Sequence, residues 1–134
     1  MLGWARAALQ MAAKAGRHDV ASREIGKLLA YAPADKIDEV WPAREVRELI
    51  ETLENEEVEV GVVIELFNKR GVHARPIDGG GAPERELAQA ATSAADALQA
   101  EWPRTSKMMR DNAKQWTRHA EAEDQRASEK RILH

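Results

Sequence analysis

Residues 58–71, VEVGVVIELFNKRG, decide the fold class, because they admit both a strand and a helix. Val58, Val60 and Val62 alternate as a half-buried strand does, and the β-branched density agrees with that. Val60, Val63, Ile64 and Phe67 instead define one face of a helix, and Asn68 to Gly71 make a suitable exit from it. A hairpin that turns through NKRG into VHARPI keeps residues 57–77 open as the alternative. The helix is favoured because the sequence on both sides is helical.

Working outward toward the N-terminus, Leu2 to Ala15 is an Ala-, Leu- and Met-rich stretch that stops at Gly16. Asp19 opens a second helix in which Val20, Ile25, Leu28 and Leu29 recur at helical spacing, until Ala32-Pro33 ends it. Residues 1–34 thus form a helix pair of the kind used in helical repeats. Asp35 to Val40 reads as a short turn. Trp41-Pro42 is expected to start the next helix, with Pro at its first position and Val46, Leu49, Ile50 and Leu53 as its apolar stripe. The middle helices are placed at 42–70, and no basic residue lies between Glu51 and Glu65.

Toward the C-terminus, residues 71–82 read as a Gly-rich basic loop, long for a compact domain and therefore of functional interest. From Pro83 to Glu101 an Ala-rich helix carries Leu87, Ala91, Ala94 and Leu98 on one stripe. Trp102-Pro103 breaks it, and a last helix continues through Met109, Ala113, Trp116 and Ala120. A short break between two such stripes predicts an antiparallel hairpin over 83–124. Past Ala122 the pattern decays, so residues 125–134 are expected to fray. The fold class is all-α: one domain over 1–124, a helical bundle or short solenoid-like array of about six to seven helices.

Composition bounds the function. The chain has 134 residues, 43% hydrophobic and 32% charged, enough for one core. It has no Cys, which removes disulfides and thiolate-ligated zinc. A net charge of −3 lacks the basic excess of a dedicated nucleic-acid-binding domain. The apolar run around Val58 to Phe67 is too short to span a bilayer, and the N-terminal stretch shows no signal-peptide cleavage site, so a cytoplasmic protein is expected.

The constellation richest in chemical groups lies between Asn68 and Arg85. Lys69, Arg70, His73 and Arg75 precede Gly79, Gly80 and Gly81, and a helix start with Arg85 follows. Backbone N–H groups at a helix start, glycines that admit a ligand and nearby guanidinium groups are what a phosphate, carboxylate or acidic-peptide site uses. The competing reading is a solvated linker with its arginines paired to Glu84 or to the acidic 51–59 run. Contiguous glycines without a following Lys-Ser/Thr fit neither the phosphate-loop nor the dinucleotide form.

Arg104, Lys107, Arg110, Lys114 and Arg118 stripe the last helix, which a partner or a solvated face explains better than nucleic acid, since no stacking aromatics interleave them. Trp41 and Trp102 sit at helix boundaries, and with Arg104 and Arg110 form a candidate partner surface. His119 and Glu123 share a helical face, but an i,i+4 surface pair explains them better than a metal site. No catalytic constellation, metal site or cofactor is assigned.

The series FNKRGV (67–72), Arg75, GGAPERELA (80–88), WPRT (102–105) and the ED of 123–124 resembles the C-terminal helical segment of large uncharacterised bacterial proteins. The likeness covers roughly Glu57 to Asp124. It departs where this chain has mostly Ala in place of bulky residues. The resemblance implies a helical accessory module. The functional expectation is a non-catalytic protein-interaction or assembly module of a bacterial system with a protein partner or a second copy, and the alternative is a regulatory domain that binds an anion at the Asn68–Arg85 loop.

Overall fold

A computed structural model describes the backbone of residues 2–14, 18–71 and 81–133 and the side chains of 3–11, 19–69 and 81–129. Six helices are described: α1 (Leu2–Lys14), α2 (His18–Leu29), α3 (Arg44–Leu53), α4 (Glu56–Gly71), α5 (Ala82–Leu98) and α6 (Pro103–Leu133). No strand occurs among the described residues. The doubtful segment is helical: residues 58–71 lie in α4, while VHARPI (72–77), the hairpin's second strand, falls outside the described residues.

The helix at α4 follows from its start. Asn55 accepts hydrogen bonds at Oδ1 from the N–H groups of Glu57 (2.9 Å) and Val58 (3.2 Å), which caps two of the donors a helix start leaves open. Glu56, Glu57 and Glu59 then place negative charge on the first turn, where the helix dipole favours it. Val58, Val62 and Leu66 are buried at i, i+4, i+8, whereas Val60 is exposed. The buried face is thus rotated from the Val60, Val63, Ile64 and Phe67 stripe that the apolar residues alone suggest, of which Val63 is buried.

The reason is the partner helix. α2 meets α4 backbone to backbone: a Cβ at Gly26 would overlap the Val58 carbonyl oxygen, and one at Gly61 would overlap the Arg23 carbonyl oxygen. Ser22, Ile25, Gly26 and Leu29 form the buried stripe of α2, and Val20 and Leu28 face solvent. Small residues, not the largest apolar ones, set this crossing.

α3 begins at Arg44 with Ala43 as its cap residue, so Pro42 precedes the helix and does not occupy its first position. Asp35 takes that role in part, accepting from the Arg44 N–H at 3.1 Å. The Pro42 carbonyl accepts from Arg47 Nε at 2.7 Å, a bond that Pro42 would be badly placed to make from inside the helix. At α6 proline does open the helix, since Pro103 is its first residue.

α5 and α6 run antiparallel, as the pairings of Ala95 with Ser106 and of Gly81 with Asp124 require. The core gathers Ile25 and Leu29 of α2, the α3 stripe, Val58, Val62 and Leu66 of α4, Ala91, Ala95 and Leu98 of α5, and Met108, Met109 and Ala113 of α6. Met109, Ala113, Trp116 and Ala120 are buried together, and Ala127 extends that line. Residues 125–133, where the sequence predicts fraying, lie within α6, which continues to Leu133. Adding a residue to an existing helix is cheap, and its strong helix formers carry supporting pairs, Arg126 to Glu123 (2.9 Å) and Gln125 to Glu129 (3.3 Å). No helix among the described residues is long and apolar enough to cross a membrane.

Candidate functional site

Three polar clusters fasten the helices, and several residues singled out in the sequence belong to them. At the α5 start, Gly81 donates its N–H to Asp124 Oδ1 at 2.8 Å, and Arg85 forms an ion pair with the same carboxylate. A Cβ at Gly81 would overlap the Ala120 backbone, so glycine is what lets the α5 start close on α6. The buried Glu84 carboxylate lies 3.6 Å from His119 Nδ1, and His119 Nε2 lies 3.9 Å from Glu123. The His119 ring meets Phe67 and Trp116 edge-on, with centroids 5.3 and 6.2 Å away.

At the α6 start, Glu51 of α3 accepts from the N–H of Arg104 (3.1 Å), the N–H of Thr105 (2.7 Å) and the Thr105 hydroxyl (2.8 Å). A carboxylate from a distant helix therefore caps α6. Arg104 also donates to Glu59 at 2.9 Å, tying α6 to α4. Burial raises the Glu59 carboxyl above its usual range, and the Arg104 partner offsets only part of that.

The third cluster organises the segment between α2 and α3. Asp35 accepts from the N–H groups of Ile37 (3.1 Å), Asp38 (3.3 Å) and Arg44 and from Arg44 Nε (3.2 Å). Its burial acts to raise the carboxyl, but these bonds together hold it below the usual value. Arg47, 1% exposed, forks onto Asp38 through two bonds of 2.8 Å and donates to Val40 O at 2.7 Å. The bonds from Arg47, and then the Val40 N–H, hold Asp38 far below the usual carboxylate range. The Arg47 guanidinium lies 5.9 Å from the Trp102 ring centre.

These placements bear on each proposed site residue. Asn68 is exposed on α4. Lys69 donates to the Ala30 carbonyl at 2.8 Å and lies 5.2 Å from the Tyr31 ring centre. Gly81 and Arg85 converge on Asp124, so the α5 start and one of the expected guanidinium groups already hold a carboxylate of the chain itself. The side chain of Arg70, and His73, Arg75 and Gly80 altogether, lie outside the described residues. Trp41 is half-buried and donates Nε1–H to Ala32 O at 2.7 Å; Trp102 is half-buried against the core. Arg110 donates to Asp96 and Gln99, both at 2.8 Å. Among the described residues no three His, Asp or Glu side chains gather as a metal site would need.

Two features escaped the sequence reading. One is a cavity bounded by α4, α5, α6 and Trp41. The other is an apolar outer surface on the N-terminal third: Trp4, Met11, Val20, Leu28, Tyr31 and Ile37 are 47–78% exposed. Trp4 and Met11 share a face of α1 at i, i+7. Val20 and Leu28 share a face of α2 that extends to Tyr31. Helical spacing of Val20, Ile25, Leu28 and Leu29 does not by itself separate this surface from the core, because the buried stripe also runs through Ser22 and Gly26. No family model matches the sequence, and no curated protein or solved structure matches it.

Proposed function

We propose that the chain is a non-catalytic protein-interaction or assembly module that presents its N-terminal helix pair to a protein partner. The supporting observation is where the exposed apolar side chains fall. Of the seven large hydrophobic residues exposed among the described ones, only Val60 lies beyond Ile37. Single exposed apolar residues are ordinary on any surface, but a concentration of Trp, Tyr, Met and branched aliphatic groups on one part of a small domain is the mark of a contact surface. Trp4 and Tyr31 are residue types that dominate contact energies.

The anion reading is supported less well. The α5 start and Arg85 already hold Asp124, and an incoming anion would have to displace it.

Affinity capture from the native cell tests the proposal, using the wild-type chain and the Trp4→Ser/Met11→Ser double variant. The wild type is expected to retain a discrete partner, or to self-associate in light scattering. The folded double variant is expected to lose that association by about tenfold or more, as hot-spot truncation does. A wild type that stays monomeric and captures nothing, or a double variant that associates unchanged, overturns the proposal.

A further inference from the structure

Val60 is the one large exposed hydrophobic residue, among the described ones, that lies outside the N-terminal third. It stands 40% exposed on a groove of about 300 Å³ between α4 and α6. Val63 and Ile64 of α4 and Met108 of α6 continue the apolar lining. The rim carries Glu56, Glu59 and Asp111 against one lysine, Lys107. Lys107 is bonded to Asp111 at 3.2 Å, and Glu59 is bonded to Arg104 at 2.9 Å. Glu56 is exposed, so with Asp111 it leaves the open rim acidic.

α1 has the opposite finish. Trp4, Ala7, Ala8 and Met11 follow one another at i, i+3, i+4 and i+7, the spacing of a helix that lays its face into a hydrophobic groove. Trp4, Ala7 and Met11 are exposed, while Ala5 and Leu9 hold the other side of the helix against the core. Residues 1–18 contain Arg6, Lys14 and Arg17 and no acidic residue. A basic helix with an open apolar stripe and an apolar groove with an acidic rim are complementary in both polarity and charge. One chain carries the two on different helices.

We propose that the partner of the N-terminal face is a second copy of this chain, with the Trp4–Met11 face of one copy seated in the α4–α6 groove of the other. The inference rests on the reading that the N-terminal helix pair is a contact surface, and it names what that surface meets. Trp4 supplies the large anchor for the groove, and the basic helix brings its charge to the rim of Glu56 and Asp111. The contact joins two different surfaces, so each copy has one face to give and one groove to fill. A single helix face on a shallow groove falls short of a standard interface, which makes the association weak and dependent on concentration.

The test is sedimentation velocity over a wide concentration range, with the wild type and two variants run alone and mixed. Trp4→Ser/Met11→Ser removes the face and keeps the groove. Val60→Lys blocks the groove with a cation and keeps the face, and a lysine four residues after Glu56 suits the helix. The wild type is expected to associate as its concentration rises, and each variant alone to do so about tenfold or more weakly. An equimolar mixture of the two variants is expected to regain a one-to-one pair, because one supplies the groove and the other the face. Should Val60→Lys not fold, Asp111→Lys takes its place with the same expectation. The inference is overturned by a wild type that stays monomeric throughout, by a groove variant that associates undiminished, as α1 pairing with α1 would, or by a mixture that forms no pair. A monomeric wild type that captures a different protein through Trp4 and Met11 overturns the second copy and leaves the proposed function standing. One that binds only vesicles of an anionic phospholipid overturns both.

Discussion

The α5–α6 hairpin and the α1–α2 pair are both two-helix units, yet they are finished differently. The hairpin is fastened by carboxylates: Asp124 holds the α5 start, and Glu51 caps α6 from another helix. The outer face of α1–α2 is left apolar, with Trp4, Met11, Val20 and Leu28 in solvent. A helix end that is capped from within the chain is finished structure. In the function proposed above, that exposed apolar face is the contact surface for a partner. The comparison separates residues that hold the fold from exposed apolar ones, and it moves Gly81, Arg85 and Arg104 into the first group.

The largest expected effect attacks the junction between the two regions, where α2 crosses α4. Gly61→Ala should lower the free energy of unfolding by about 3 kcal/mol, measured by urea denaturation, because the added methyl meets backbone and not a flexible side chain. A change within about 0.5 kcal/mol would mean the crossing is looser than described, and that the α1–α2 pair is not registered by it. Next is Glu51→Ala, which strips the cap from α6 and leaves the buried Thr105 hydroxyl without its acceptor. A loss of about 2 kcal/mol is expected.

A pH series sharpens the same contrast. Asp38 has a folded-state pKa depressed by Arg47, so its contribution is present above the unfolded value of about 3.9 and is lost as pH falls below it. Glu59, raised by burial, acts with the opposite sign: its contribution is present at low pH and lost as pH rises through the unfolded value toward the raised one. The urea midpoint of the wild type should therefore fall as pH drops below about 4, and Asp38→Asn should show a visibly flatter fall. Equal slopes in the two proteins would remove Asp38–Arg47 from the set of fastenings. The smallest effect belongs to the exposed face. Trp4→Ser/Met11→Ser should change stability by no more than about 0.5 kcal/mol, since neither side chain is buried.

How much of this was legible in the sequence varies with what each residue does. Periodicity located the α6 core line of Met109, Ala113, Trp116 and Ala120, because large apolar groups and alanines repeat there without interruption. In α2 and α4 it located Ile25, Leu29 and Val63 but misplaced Val20, Leu28 and Val60, because hydrophobic spacing gives no weight to Ser22, Gly26 and Gly61, which share the contact face. The helix at 58–71 had a readable start, since Asn55 followed by three glutamates is a capping signal that outweighs valine alternation. The sequence alone could not reveal that Asp124 would sit at the α5 start. It lies 43 residues from Gly81, and only the hairpin's register brings them together. The same limit applies to Arg47: an arginine inside a helix reads as solvated until a fork such as Asp38 is seen facing it.

Native-state hydrogen exchange, residue by residue, tests the division between the two regions most directly. The account predicts that amides in the middle of α6, near Met109 to Trp116, exchange only through global unfolding. Amides of α1, which buries Ala5 and Leu9 and leaves Trp4 and Met11 outside, should exchange through local opening at a free energy lower by several kcal/mol. Protection of α1 equal to that of α6 in the isolated chain would contradict the account, because the N-terminal pair would then be finished structure and not a surface awaiting a partner.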